Sequence, residues 1–170
     1  MRMPATPFGH WLFAAAVAVP LALGGAGAAE PGVETEGGAT TQRVAVDQTS
    51  GYAIGGFDPV AYFVERRPVE GIRGVEAIHE GAIWRFASKG NRDAFVDTPD
   101  LYAPQYGGYC ARSAALGIVA EADPRVFAIY RGRLYFFRGE AERARWLVAP
   151  EDHIATATRR WPRIVPTLAR

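Results

Sequence analysis

GGFDPVAYF, residues 55–63, is the stretch that decides how this chain begins to fold. Asp58 is a favoured residue immediately before a helix, and Pro59 is favoured at the first helical position because its missing N–H has no partner there. The pattern therefore predicts a short helix over residues 59–64, placed at the entrance to the folded part of the chain.

Two hairpins with the same pattern are predicted further along. Each consists of two short runs rich in apolar and aromatic residues, joined by a two-residue turn that ends in glycine. The first hairpin pairs residues 75–79 with residues 82–87 across Glu80 and Gly81, and the second pairs residues 126–130 with residues 133–137 across Arg131 and Gly132.

Short helices are predicted between and after the hairpins. They span residues 89–98 behind Ser88, the residues from the Gly107-Gly108 turn to Leu116, residues 140–148 and residues 151–160. Gly117 is placed to close the second of these helices, and Pro99 and Pro162 to end the first and the last. Because hairpins and helices are mixed without regular alternation, the predicted class is α+β, with two β-hairpins packed against several short helices in a single compact domain.

The N-terminal residues have the pattern of an export signal. Arg2 precedes an apolar run over residues 11–23, and small residues follow over residues 24–29. The run is shorter than the roughly 20 residues that a spanning helix needs. We therefore expect a cleaved signal peptide over residues 1–29, a periplasmic or secreted protein, and no membrane span in the mature chain.

The remaining boundaries follow from changes in composition. Residues 30–50 are rich in Gly, Thr, Glu and Gln, and such a segment buries too little apolar surface to offset its ordering entropy, so a disordered linker is predicted there. The folded domain is expected over residues 51–164, followed by a C-terminal tail over residues 165–170. The formal net charge of the 170-residue chain is +1, which argues against nucleic acid as a partner.

Three motifs together resemble those of YHS-domain proteins. They are residues 55–63, WRFASKGNRDAF at residues 84–95, and YGGYCA at residues 106–111, with Pro99 and Tyr102 between the last two. The resemblance covers about residues 51–164 and is strongest to the exported, single-domain branch of the family. It implies a small fold related to metal-handling domains, including the more distant TRASH-like domains.

The same resemblance implies that the usual metal site of the family is absent. Metal-binding relatives carry three cysteines at the positions that are Ala61, Ala87 and Asn91 in this chain. Thiolates bind soft metals such as Cu(I) or zinc, and Ala and Asn do not replace them. Extra core from the second hairpin and the C-terminal helices is then expected to stabilise the domain in place of the metal.

The stretch from Tyr106 to Cys110 is the main candidate for a ligand site. If a helix begins near Gly107 or Gly108, Cys110 lies in its first turn, where the helix dipole favours an ionised thiolate. The glycines would let a ligand approach the backbone closely, and Tyr106 and Tyr109 would line that approach. The alternative is that the glycines only form a turn and that Cys110, the only cysteine of the chain, packs in the core.

A metal set of Cys110, His79 and Asp58 is the second candidate, with copper or zinc as the ion. Each member has a simpler explanation: His79 as an exposed strand residue, Asp58 as a helix cap, and Cys110 as a core residue. No Ser-His-Asp set, phosphate-binding glycine loop or His-Glu-x-x-His motif is present in the sequence, so no catalytic residues are assigned.

Three functions stay open at this point. The first is an exported, non-catalytic YHS-domain binding module that holds a metal ion, a small ligand or a periplasmic protein partner near Cys110. The second is a thiol-dependent redox protein or enzyme that uses Cys110. The third is a structural or protein-interaction domain in which the thiol is buried. An enzyme is the less favoured of these classes.

Overall fold

The computed structural model describes residues 43–168 of the chain. The predicted signal peptide and residues 30–42 of the predicted linker lie outside the described residues. Two small antiparallel sheets and several helices confirm the α+β class. Within residues 43–168, no helix has the length and apolar character needed to cross a bilayer.

Both predicted hairpins are present with the expected turns. Strand β1 (Glu76–His79) pairs with β2 (Ala82–Arg85), and β3 (Asp123–Tyr130) pairs with β4 (Arg133–Phe137). Both residues of each turn have positive φ, which suits the twist of a two-residue hairpin. Strand β3 begins three residues earlier than predicted and has an irregularity in its register between Asp123 and Phe127.

The helices are short and most lie where the sequence predicts them. Ser88 caps α2 through its hydroxyl, which accepts a hydrogen bond from the Asn91 amide at 3.0 Å. The α-helices are α1 (Ala61–Val64), α2 (Lys89–Asp97), α3 (Pro99–Tyr102), α4 (Ala111–Leu116), α5 (Glu140–Leu147) and α6 (Pro150–Ile164). Short 3-10 turns lie at Ile54–Gly56, Gln105–Gly108 and Val165–Leu168.

Two helix predictions were wrong at proline residues. Pro99 was expected only to end a helix, but it also begins α3, in the position where its missing N–H has no consequence. Pro162 was expected to lie beyond the last helix, but α6 continues through it to Ile164. The aromatic contacts of Trp161 and the burial of Ile164 hold this last turn in place despite the backbone hydrogen bond that the proline removes.

The core consists of two apolar clusters that share one strand. All of β4 after Arg133 is buried, and its side chains alternate between the clusters. Leu134 and Phe136 belong to the cluster beneath the first hairpin, whereas Tyr135 and Phe137 belong to the cluster against α4, α5 and α6. Both faces of β4 are therefore covered.

The folded domain begins earlier than residue 51. Val44 is 2% exposed and belongs to the first cluster. The Ala45 amide donates to the Gly107 carbonyl at 2.7 Å, and Val46 pairs with Ala53 in an isolated bridge. The linker prediction was therefore wrong for this part of residues 43–50, because composition alone does not reveal the backbone pairing that holds a polar segment in place.

Truncation of Val44 tests whether this segment contributes to the stability of the domain. We expect Val44→Ala to lower the free energy of unfolding by about 2 kcal/mol, since it removes buried methyl groups. The matched control is Val64→Ala at a side chain that is 67% exposed, for which the change should stay within about 0.5 kcal/mol. Urea unfolding followed by tryptophan fluorescence measures both. Equal effects of the two variants would show that residues 43–46 do not belong to the cooperative unit.

Candidate functional site

Asp58 is a structural residue whose carboxylate joins three elements. It is fully buried. Its Oδ1 accepts hydrogen bonds from the amides of Val60 at 2.8 Å and Ala61 at 3.3 Å, so Asp58 caps the turn that leads into α1, which begins at Ala61 and not at Pro59 as predicted. Its Oδ2 accepts hydrogen bonds from the Ala87 amide at 2.8 Å and from Asn91 Nδ2 at 2.6 Å. Both oxygens are therefore engaged by the protein itself.

The three positions at which the family resemblance implies missing thiolates all meet this carboxylate. The backbone amides of Ala61 and Ala87 donate hydrogen bonds to it, and so does the side-chain amide of Asn91. The Asp58 carboxylate thus joins the start of α1, the segment that follows β2, and α2 through hydrogen bonds. These donors are two backbone amides and one side-chain amide nitrogen, and none of these groups is a ligand for copper or zinc.

His79 packs against aromatic rings. Its imidazole lies edge-on to Phe95 with centroids 5.5 Å apart, and its centroid is 6.4 Å from that of Trp84. A small cavity of about 80 Å³ beside it is otherwise lined by Ala77, Ile78, Phe95, Val96 and Pro99. These neighbours offer no second metal ligand.

The predicted metal set is not brought together. Among residues 43–168, no three His, Cys, Asp or Glu side chains form a group that could hold a metal ion. Asp58 is saturated by hydrogen bonds, and His79 packs on rings of the first cluster, whereas Cys110 belongs to the second cluster. The prediction of Cys110, His79 and Asp58 as joint ligands was therefore wrong, because their separation in the fold cannot be read from their residue types.

Cys110 is sealed in the apolar interior. Its exposed fraction is 0%, and its neighbours in the second cluster include Tyr135, Phe137 and Trp146. Helix α4 begins at Ala111, three residues after Gly108, so Cys110 precedes the helix. Its side chain makes no capping hydrogen bond. The expectation of a reachable, helix-activated thiol was wrong, and the alternative of a buried core thiol is confirmed.

The two glycines admit the chain's own backbone. Gly107 and Gly108 have φ values of +61° and +86°, a region that favours glycine. A Cβ on Gly107 would lie only 1.7 Å from the Arg43 carbonyl oxygen. The space beside Gly107 that was expected to admit a ligand is therefore filled by the backbone of residues 43–45. Gly108, in contrast, remains at the surface of a groove.

Tyr106 and Tyr109 hold the C-terminal helix. Their ring centroids lie 5.6 Å and 5.9 Å from that of Trp161 on α6. Burial raises the pKa of both phenols, and the Glu121 carboxylate adds to the effect at Tyr109. Both side chains therefore stay protonated at neutral pH, which suits packing and leaves them poor proton acceptors.

A groove that the sequence did not predict passes over Gly108. It has a volume of about 320 Å³ and is named here the Gly108 groove; its lining comprises residues 45–49, Ile54, Gly55, Gly108, Glu121, Ala122 and Pro124. Asp47 and Glu121 contribute carboxylates, and no lining residue is basic. Because these residues come from four separate segments, one of them inside the predicted linker, no spacing in the sequence could have revealed the groove.

The charge of Asp47 is fixed by its own turn. Its Oδ1 accepts hydrogen bonds from the amides of Ser50 at 2.7 Å and Thr49 at 3.2 Å. The Ser50 hydrogen bond is the main cause that lowers the pKa of this carboxyl. Asp47 therefore contributes a negative charge to the groove over the whole neutral range of pH.

No family model, no curated protein and no solved structure matches this chain. The resemblance to YHS-domain proteins stays a prediction.

Removal of the Asp58 carboxylate tests its role as the link between α1, β2 and α2. We expect Asp58→Ala to lower the free energy of unfolding by at least about 3 kcal/mol, because four donors lose their acceptor in the interior. Denaturant unfolding measures the change. Asp97→Ala, at an exposed acid on α2, is the control and should stay within about 0.5 kcal/mol. If Asp58→Ala does not fold, Asn91→Ala tests the same network, and a change below about 0.5 kcal/mol there would contradict this account.

The thiol of Cys110 should react only when the domain opens. We expect native protein to react with an aromatic disulfide reagent at least about a hundredfold more slowly than unfolded protein, since access requires local or global unfolding. The control is the variant Cys110→Ser with Ile118→Cys, which places one thiol at a position that is 57% exposed. Similar rates for the native wild type and the control would refute the burial of Cys110.

Proposed function

We propose that this chain is an exported, non-catalytic binding module of the YHS type that holds a small organic cation in the Gly108 groove. The observation that carries the proposal is the groove itself: two acidic residues, Asp47 and Glu121, line a cavity of about 320 Å³ in which no lining residue is basic. Its volume lies at the lower end of the range for small-molecule sites, about 300–1,000 Å³.

The lining suits a cation with an apolar body. Ile54, Ala122 and Pro124 supply apolar surface, and Gln48 and Thr49 supply polar groups. A charged amine can meet Asp47 and Glu121 while its carbon skeleton rests on the apolar residues. This mixture of an apolar wall with a few polar groups is typical of small-ligand sites.

A non-catalytic role is favoured by the state of the chemically active groups. The Cys110 thiol is buried, the Asp58 carboxylate accepts four hydrogen bonds, and the Tyr106 phenol is kept neutral by burial. A thiol-dependent enzyme needs an accessible and ionised cysteine. We therefore place the ligand site at Gly108, two residues before the Cys110 site that the sequence suggested.

Calorimetric titration with a diamine tests the proposal. The probe is 1,5-diaminopentane, and 1,5-pentanediol is the neutral control of the same length. We expect heat of binding for the diamine alone. Asp47→Asn, which keeps an oxygen for the turn amides, and Glu121→Gln should each weaken binding about fivefold, since an exposed charge pair contributes up to about 1 kcal/mol.

Two results would contradict a cation site. Equal binding of the diol and the diamine would show that charge is not recognised. Unchanged affinity in both variants would place the diamine elsewhere on the protein. Glu80→Gln, at an exposed acid in the β1–β2 turn, is the matched variant that should leave the affinity as it is.

A further inference from the structure

A cluster of exposed aliphatic side chains lies where α4 ends. Leu116 is 51% exposed, Ile118 is 57% exposed and Val119 is 36% exposed. These three residues are named here the aliphatic tip. Exposed apolar side chains that cluster on a protein surface mark sites of interaction with a protein, a membrane or a ligand, whereas single ones are normal. Three large apolar side chains are exposed here within four residues.

The backbone of the aliphatic tip is held in one conformation. Gly117 adopts a left-handed conformation with φ of +79°, and its amide donates to the Ala114 carbonyl at 3.0 Å. The Ile118 amide donates to the Ser113 carbonyl at 2.9 Å, which completes a Schellman-type helix end. The aliphatic side chains are thus presented by a structured turn whose backbone groups are satisfied.

Two arginines from α6 lie beside the tip, next to Gly117 and Val119. Arg160 donates to the Ala115 carbonyl at 2.6 Å and lies against Gly117. With Arg163 it lines a groove of about 410 Å³ that also includes Gly117 and Val119 and that has no acidic lining residue. Within residues 43–168, no carboxylate forms an ion pair with Arg159, Arg160 or Arg163. Positive charge and exposed apolar surface therefore coincide.

We infer that the aliphatic tip and the end of α6 form a docking site for an anionic phospholipid surface. Aliphatic side chains enter the boundary between headgroups and acyl chains, while arginines pair with the phosphates above it. A stable protein interface needs about 20–30 residues on each side, whereas this patch has only a handful. A lipid surface needs no shape complementarity, so a small amphipathic patch is sufficient for reversible binding.

The contact is superficial and separate from the Gly108 groove. It uses Leu116, Ile118, Val119 and the arginines of α6, none of which lines the Gly108 groove. The two sites share the α4–β3 loop but no residue, since Glu121 of the groove follows Val119 by two positions. The inference therefore goes beyond the proposed ligand function and stands or falls independently of it.

Vesicle flotation of the full chain, as recovered from an expressing host, tests the inference. The probes are vesicles of phosphatidylcholine alone and of an equal mixture of phosphatidylglycerol and phosphatidylcholine. We expect binding to the anionic vesicles that weakens as salt is added. Ile118→Ser should lower the partition coefficient about tenfold through lost apolar burial, and Arg163→Gln about fivefold through a lost charge.

Ile78→Ser is the matched control. Ile78 is 79% exposed on β1, between Glu76 and Glu80 in the sequence, so its loss should leave vesicle binding unchanged. Asp47→Asn, at a groove residue on a different segment from the tip, should also leave vesicle binding unchanged, which separates this test from the ligand test. Because residues 1–42 are common to all variants, a difference between variants reports on the docking site.

A local probe keeps the test specific. An environment-sensitive fluorophore on Ile118→Cys should shift to the blue with anionic vesicles, while the same label on Ile78→Cys should not. The inference is overturned by equal binding to neutral and anionic vesicles, by unchanged binding of Ile118→Ser, or by a silent label at residue 118. If the blue shift instead appears without vesicles and grows with protein concentration, the patch binds a second copy of the chain. That result would also overturn the inference.

Discussion

The carboxylate of Asp58 is the interaction on which the first half of this domain depends. It is fully buried and accepts hydrogen bonds from the start of α1, from Ala87 just after β2, and from Asn91 on α2. A buried charge is costly unless hydrogen bonds satisfy it, and four donors meet that condition here. Since the donors come from segments about thirty residues apart, the carboxylate fixes the position of the helix relative to the hairpin.

The second half of the domain depends on aromatic packing around β4. Trp146 contacts Tyr135 and Phe137 from one side, and Tyr62 contacts Phe136 from the other. Aromatic side chains bury large areas, which suits a small domain that has one cysteine and therefore no internal disulfide. Within residues 43–168, apolar burial and the hydrogen bonds of Asp58 thus connect the elements of the domain.

The Gly108 groove is a consequence of how the N-terminal segment returns to the fold. Gly107 lets the carbonyl of Arg43 pass against its backbone, and the Ala45 amide then bonds to the Gly107 carbonyl. This places residues 45–49 beside Gly108 and brings Asp47 into the same groove as Glu121. Gly107, which the sequence suggested as a point of access for a ligand, thus serves the chain's own backbone, and the Gly108 groove lies next to it.

The sequence by itself determined the local structure. The turn glycines Gly81 and Gly132, the cap residue Ser88, the closing residue Gly117 and the role of Asp58 as a cap were all readable, because each acts on neighbours within a few residues. The contacts of Asp58 with Ala87 and Asn91, the burial of Cys110, and the placement of Asp47 and Glu121 around one groove are visible only in the folded chain. These facts depend on contacts between distant segments, and neither residue type nor spacing encodes which surfaces meet when the two clusters pack around β4.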